Sequence, residues 1–318
     1  MRIAFLILFA VALPIVLNST DQAFYLSFAS RILIYALAAT SLNLVLGYGG
    51  MVSFGHAAFV GTGAYVASIA YVEGLASAWI GWPLAVAAAA LAALVIGALS
   101  LRTRGVYFIM ITLAFAQMMY YLVNSMKAYG GDEGLTLPAR ADIGFGLDLG
   151  DDVTFYYAAL CFLALAIFSL HRLANARFGR ALLAIRENEA RAEAIGYPVQ
   201  RYKLVAFVIA GAAAGLAGAL LASHGKYVNP NILHWTQSGT LLVMVILGGV
   251  GRLWGGVLGA AALLGLEHLM AEHRIGWLAA LLPDYQQHAS LGVGLVLLAV
   301  VLFAPQGIAG LFSRQRHA

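Results

Sequence analysis

Stretches without Asp, Glu, Lys or Arg dominate the pattern of this chain. A helix of roughly 20 apolar residues crosses the hydrocarbon core of a bilayer, so each long uncharged run predicts at least one membrane span. The run 32–72 has 41 residues, about twice the length of one span, and the sequence GYGG at 47–50 divides it into two helices joined by a tight turn. The uncharged runs are 3–20, 32–72, 74–101, 105–126, 153–171, 204–225, 227–251, 253–266 and 285–313.

These runs predict an all-α fold, a polytopic integral membrane helix bundle that forms a single transmembrane domain over residues 1–318. A cleaved signal peptide is the alternative for residues 1–18, but Pro14 interrupts the run and no small-x-small cleavage pattern follows it. We therefore expect a retained first helix. The ten predicted helices lie near 3–18, 32–47, 51–71, 84–101, 105–125, 154–170, 204–222, 237–251, 253–270 and 288–304.

The composition agrees with the membrane class. Apolar residues make up 62% of the 318, against about 45–50% in soluble domains, and the mean hydropathy is +0.87. The basic pI of about 9.2 does not indicate nucleic-acid binding, because the basic residues lie beside predicted helix ends and form no separate stripe. The single cysteine, Cys161, can form no disulfide within the chain.

The distribution of basic residues predicts the orientation, since loops rich in Lys and Arg stay in the cytoplasm. Residues 172–203 hold seven basic residues and three acidic ones, whereas residues 127–152 hold two and six. The segment 173–202 is therefore predicted to be cytoplasmic and the loop 127–152 external. Alternation from these two segments gives ten spans with both termini inside, and Arg31 and Lys226 are the main exceptions to the rule.

The cytoplasmic segment has the pattern of a short amphipathic helix of about four turns over 178–195. Leu182, Ile185, Ala192 and Ile195 recur near helical spacing, and the sequence GYP at 196–198 supplies a stop signal. Glu187 also precedes Arg191 by four residues, which is a supportive orientation within one helix. The helix is too short and too polar to cross the membrane.

Small residues recur at helical spacing in several spans. Gly211 and Gly215 form a GxxxG motif that Gly218 continues, and glycines recur at 251, 255 and 259. In lipid this spacing lets helix backbones approach closely. We interpret each motif as a helix-packing contact and expect a compact bundle.

Several kinds of chemistry are missing from the sequence. His56 is the ionisable residue that falls well inside a predicted span, so little indicates an ion-coupled carrier, although carbonyl groups alone can bind ions. The sequence has no GxxxxGK[ST] phosphate-binding loop and no HExxH motif, and a metal site at Glu267, His268, Glu272 and His273 is disfavoured at a membrane boundary. We therefore predict no enzyme activity and no catalytic, cofactor-binding or metal-binding residue in this chain.

A bundle without these groups either takes its energy from another subunit or acts alone as a carrier or channel. A rigid cytoplasmic helix between two spans suits docking to a motor subunit, whose movement it would pass to the spans. A solvated loop helix, or one that lies on anionic lipid, is an equal alternative from the residues alone.

Five blocks of the sequence resemble permeases of the branched-chain amino-acid ABC importer family. They are SLNLVLGYGGMVSFGHAAFVGTGAYV (41–66), RGVYFIMITLAFAQM (104–118), RFGRALLAIRENEARAEAIGYPVQRYKLVAFVIAGAAAGLAGAL (177–220), LLVMVILGGVGRLWGGVLGAA (241–261) and VVLFAPQGIAGLF (300–312). The second and third blocks resemble the LivM-type subunit more than the LivH-type one. The resemblance implies transport of branched-chain or other hydrophobic amino acids across the bacterial inner membrane, with urea, amide or aromatic-acid import as the alternative within the family.

The resemblance also implies partners and coupling residues. The partners are a LivH-type second permease, two ATP-binding subunits that bind ATP and Mg²⁺, and a periplasmic substrate-binding protein. The sequence EAIG at 193–196 is a loose version of the Glu-Ala-Ala…Gly pattern of ABC importer permeases. The residues expected to meet the ATPase are Gly179, Arg180, Ala184, Arg186, Glu187, Asn188, Glu193 and Gly196.

The implied mechanism is alternating access along a mostly apolar path with sparse polar groups. Each of these groups is equally compatible with a hydrogen bond between helices. The candidate path residues are Asn43, Ser53, His56, Thr112, Gln117, Ser238 and Thr240.

Overall fold

A computed structural model describes residues 13–14, 23–144, 148–272, 289–303 and 306–312 of the chain. Within these residues, six helices are long and apolar enough to cross a membrane and two shorter ones are apolar. The predicted first span 3–18 lies almost wholly outside the described residues, as do both termini. The total of ten spans and the side of the termini therefore stay predictions.

The described helices form one bundle. The eight long and short apolar helices are α1 (Ala23–Asn43, continued as a π-helix over Leu44–Tyr48), α2 (His56–Val72), α3 (Ala78–Ser100), α4 (Val106–Asn124), α5 (Asp152–Asn175), α8 (Val199–Gly225), α9 (Trp235–Gly248) and α10 (Leu253–Glu272). A further helix, α11 (Ala289–Phe303), follows α10. Two short helices, α6 (Arg177–Glu187) and α7 (Glu189–Ala194), lie between α5 and α8, and α12 (Ile308–Phe312) follows α11.

Four helices begin five or more residues away from their predicted starts, and one of them is α8, which begins at Val199 instead of 204. Helix α1 starts at Ala23 instead of 32 and includes Arg31, whose guanidinium carbon lies 5.7 Å from the centre of the Tyr35 ring. A long basic side chain can stay in a span when its stem covers apolar surface. Helix α3 starts at Ala78 instead of 84 and contains Pro83, which neighbouring groups can accommodate in a membrane helix.

The start of α2 also differs from the predicted span 51–71. Residues 49–55 have no regular helix, and α2 begins at His56. The predicted break after residue 47 is therefore confirmed, but it is longer than a tight turn. Gly50 has φ +67°, a conformation that favours glycine. As a result, His56 lies in the first turn of a helix and not well inside one.

The predicted glycine motifs are confirmed as helix contacts around α8. A Cβ at Gly215 would lie 2.3 Å from Ala89 Cβ in α3, and one at Gly218 would lie 1.8 Å from Val60 O in α2. Gly255 and Gly259 of the second motif join α10 to α9 in the same way, since a Cβ at Gly259 would lie 1.7 Å from Met244 O. Gly251, the first residue of that motif, lies instead in the turn before α10, with φ +80°. Two helix backbones can approach this closely only where no side chain separates them.

The described part of the loop 127–152 includes two short regular elements. It contains a 3₁₀ turn and a two-residue strand, β1 (Leu135–Thr136), which pairs antiparallel with β2 (Tyr227–Val228). Arg140 binds Asp152 at 2.6 Å and donates to Leu149 O at 3.0 Å. These long-range contacts tie the loop to the ends of α5 and α8.

Candidate functional site

The charged segment between α5 and α8 consists of two helices, so the prediction of one continuous helix over 178–195 was wrong. Asn188 separates α6 from α7 with an extended backbone (φ −156°, ψ 100°). Its Oδ1 accepts a hydrogen bond from Arg191 N at 2.9 Å and thereby caps α7. Asparagine commonly ends one helix and caps another in this way, because its side chain competes for backbone donors. Glu187 and Arg191 consequently lie in different helices.

The apolar side of the segment faces the bundle as predicted, with one exception. Leu182, Ile185 and Ala192 are buried. Ile195, the fourth residue of the predicted apolar stripe, is 69% exposed. Helix α7 ends at Ala194, so the helical phase no longer turns Ile195 inward. Tyr197, two residues further along the chain, is also exposed, so two large apolar side chains are available to a partner at the end of α7.

An ion-pair network connects α7 to two spans. Arg104, just before α4, lies 3.2 Å from Glu193 and 3.5 Å from Glu189. Lys203 in the first turn of α8 binds the other oxygen of Glu189 at 2.7 Å. The pairs of the exposed Arg104 contribute only about 0–1 kcal/mol each, whereas the Lys203–Glu189 pair is partly buried. The network therefore orients α7 relative to α4 and α8 but does not fix it rigidly.

The structure places the eight candidate coupling residues in different environments. Gly179 is buried, and a Cβ there would lie 2.1 Å from Ala174 O. Arg186 contacts the backbone of Gly47 in its own chain, and Glu193 binds Arg104. The remaining candidates are on the surface, where a partner can reach them: Arg180, Ala184, Glu187, Asn188 and Gly196.

Four of the seven candidate path residues are grouped around the irregular residues 49–55. Ser53 Oγ accepts from Gly55 N at 3.2 Å, Thr112 Oγ1 accepts from Phe54 N at 3.2 Å, and Ser238 Oγ accepts from Ala57 N at 2.8 Å. Thus α4 and α9 each supply a hydroxyl group to the backbone before and at the start of α2. Irregular backbone at membrane depth requires such partners, because lipid offers none.

His56, the fourth of this group, is fully buried and bonds Ser41. The Ser41 hydroxyl group donates to Ala38 O at 2.7 Å, so its oxygen is free to accept from His56 Nε2–H at 2.8 Å. His56 Nε2 must therefore carry a proton in this arrangement. The bond joins α1 to α2, as the helix-packing interpretation of His56 requires. The sequence offered no sign of Ser41 as the partner.

The other three candidate path residues lie apart from this group. Asn43 is fully buried; its Nδ2 donates to Arg252 O at 2.6 Å, and its Oδ1 accepts from Gly251 N at 2.9 Å. Thr240 donates to Thr236 O at 3.3 Å within α9. Gln117 Oε1 is buried and has no hydrogen-bond partner in the part of the chain that the structure describes.

No group of three or more His, Cys, Asp or Glu side chains that could hold a metal ion occurs among the described residues. Of the cluster considered from the sequence, His268 packs against Phe28 with ring centres 4.8 Å apart. His273 lies outside the described residues.

Comparison with known proteins gives the chain a clear set of relatives. Residues 24–306 match the family described as "Branched-chain amino acid transport system / permease component". The high-affinity branched-chain amino acid transport system permease protein LivM of Escherichia coli K12 is 30% identical over 95% of this chain and 73% of its own length. No solved structure matches the chain.

Two further relatives are more distant permeases. LivH of Escherichia coli K12, from a system of the same description, is 28% identical over 87% of this chain and 91% of its own length. The L-arabinose transport system permease protein AraH of the same organism is 28% identical over 60% of this chain and 55% of its own length.

Proposed function

The chain belongs to the family of branched-chain amino acid transport permeases, and we propose that it is the LivM-type transmembrane subunit of an ATP-driven importer for these amino acids. The similarity to LivM over 95% of the chain carries this proposal. The described helices agree with a multi-pass membrane protein. We place it in the bacterial inner membrane with the segment 173–202 in the cytoplasm, as its excess of basic residues predicts.

Energy for transport comes, in this proposal, from separate subunits. The sequence has no GxxxxGK[ST] motif, so ATP and Mg²⁺ would be bound by two ATP-hydrolysing partners. A LivH-type second permease would complete the membrane part, and a periplasmic binding protein would deliver the amino acid to the external loop 127–152. A mostly apolar path then suffices, because the binding protein has already selected the solute.

The ATPase would dock on the exposed surface of α6 and α7, which we call the docking surface. It comprises Ala184 and Glu187 in α6 together with Ile195 and Tyr197 after α7. An exposed apolar pair beside charged groups is the usual composition of a protein interface. Movement of the docked subunit would reach α4 through Arg104 and α8 through Lys203, the two residues that bind α7.

The docking surface can be tested with the double variant Glu187→Lys and Ile195→Glu. Both side chains are exposed, so the bundle should fold, while the charge and the apolar contact offered to the ATPase are both lost. We expect ATP-driven leucine uptake in proteoliposomes to fall at least about tenfold, the effect of losing about 1.4 kcal/mol or more of interface energy. The ATPase should also no longer co-purify with the permeases in mild detergent.

A matched control is Glu133→Lys, the same change on the exposed external loop, which should leave the ATPase bound. Full retention of the ATPase by the double variant would disprove docking at this surface. Leucine accumulation by the chain reconstituted without any ATPase would instead favour a stand-alone carrier. Uptake of urea or aromatic acids in place of leucine would favour the alternative substrates within the family.

A further inference from the structure

Arg186 differs from the other exposed residues of α6 in what it contacts. Its side chain runs from the last turn of α6 to the π-helical end of α1, where Nη1 donates a hydrogen bond to Gly47 O. The stem of the side chain packs on Gly50, since a Cβ there would lie 2.6 Å from Arg186 Cγ. Gly50 is therefore a glycine for two reasons, its positive φ and this contact.

The end of α1, which Arg186 contacts, is itself bound to the turn that precedes α10. Asn43 in the last turn of α1 bonds both Gly251 N and Arg252 O, in the turn that precedes α10. Gly47 also packs directly on that turn, because a Cβ at Gly47 would lie 2.4 Å from Gly251 N. The end of α6 is thus joined to the ends of two other helices, α1 and α10, by backbone contacts and hydrogen bonds.

We propose that Arg186 is a positioning residue that transmits movement of the docked ATPase from α6 to the ends of α1 and α10. This inference rests on the proposed function. It also gives a role to the sequences GYGG (47–50) and GGVG (248–251), which docking alone does not explain. The apolar contacts of Leu182 and Ile185 are non-directional and permit α6 to slide on the bundle. A guanidinium–carbonyl bond has a fixed direction and a charged donor, so it pulls the end of α1 along with α6.

The test compares transport with ATP hydrolysis in the assembled importer in proteoliposomes. Arg186→Ala removes the bond to Gly47, and the ratio of leucine uptake to ATP hydrolysis should fall about tenfold, the effect of losing one charge-assisted hydrogen bond. The rate of hydrolysis should stay within about twofold, because the exposed docking residues are intact. Arg186→Lys keeps the charge but lacks the fork of donors, and it should lower the ratio in the same direction.

Arg201→Ala, an exposed arginine in the first turn of α8, is the matched control and should leave the ratio unchanged. An unchanged ratio in both Arg186 variants would overturn the inference, and so would equal losses of uptake and hydrolysis. If Arg186→Ala does not assemble, Arg186→Lys still decides the question. Failure of the wild-type complex to use ATP for uptake would refute the proposed function instead.

A double-variant cycle gives an independent check. Gly50→Ala places a methyl group against the Arg186 stem and should lower the ratio in the wild-type background. The backbone strain of alanine at this φ is the same in both backgrounds, so it cancels in the cycle. In the Arg186→Ala background the methyl group meets no arginine stem, so Gly50→Ala should lower the ratio clearly less than in the wild-type background; losses that multiply independently would contradict the inference.

Discussion

Gly218→Val is expected to destabilise the bundle by more than about 3 kcal/mol, at the upper end of the cost of overpacking. A Cβ at residue 218 would lie 1.8 Å from Val60 O and 2.9 Å from Ala64 N. These are backbone atoms of α2 and cannot rotate away, so α2 and α8 would have to separate. The apparent unfolding temperature of the purified protein in detergent should fall by many degrees, or monodisperse protein should be lost.

Gly265→Val is the matched control, because a Cβ at Gly265 meets no other atom of the described chain within 4 Å. Gly265 is also in the interior of a helix, α10, where valine has a higher helix propensity than glycine. This control should unfold within a few degrees of the wild-type protein. Equal losses in the two variants would show that the helix contact at Gly218 is not the reason for its glycine.

Asn43→Leu is expected to cost about 2–4 kcal/mol of stability. The side chain is fully buried, and leucine of similar size would leave Gly251 N–H and Arg252 C=O without the amide that bonds both. A buried donor or acceptor that loses its partner costs about 1–3 kcal/mol. The same unfolding measurement in detergent checks this value.

Asn175→Leu makes the same exchange at an exposed position near the end of α5, and a change within about 0.5 kcal/mol is expected there. The comparison also separates two roles for Asn43. If it lines the translocation path without supporting the structure, Asn43→Leu would reduce uptake and leave the unfolding temperature unchanged. Our prediction requires the unfolding temperature to fall.

The two attachments of the cytoplasmic segment differ in physical character. Helix α6 is held by buried apolar residues such as Leu182 and by the bond from Arg186 to Gly47. Helix α7 is held by the buried Ala192, by the partly buried pair between Lys203 and Glu189, and by the exposed pairs of Arg104, which salt screens. Within the proposed mechanism, α6 passes movement on through Arg186 and α7 passes it on through its ion pairs, with Asn188 as the joint between the two helices.

Properties that depend on residues close together in the chain could be predicted from the sequence pattern. The absence of charge located the spans, and helical spacing identified Leu182, Ile185 and Ala192 as the buried side of the cytoplasmic segment. The prediction of one continuous helix failed at Asn188 and Ile195, because the helical pattern was continued past Asn188, where the helix breaks. The break was hard to predict, since asparagine also occurs within helices at modest cost.

The candidate path residues show more clearly what could not be predicted from the sequence. The sequence suggested Asn43, His56 and Ser238 as polar groups of interest but gave no partner for any of them. Their partners are Gly251, Ser41 and Ala57, and the pair Asn43–Gly251 is 208 residues apart in the chain. The GxxxG motif was informative because spacing alone predicts close packing in lipid, but the contacted helices were not predictable from it.

The sequence by itself determined that this chain is a helical membrane protein with a basic segment (172–203) and an acidic loop (127–152) between spans, because apolar length and charge distribution act through the bilayer and need no tertiary contact. Only the tertiary structure decided that Arg186 contacts Gly47 in the same chain and that Ile195 is exposed. Those outcomes depend on which helices pack together and on how far they are shifted along each other's axes. Many arrangements of the same spans are equally compatible with the bilayer. Close backbone packing and the pairing of buried polar groups therefore determine which arrangement is the stable one.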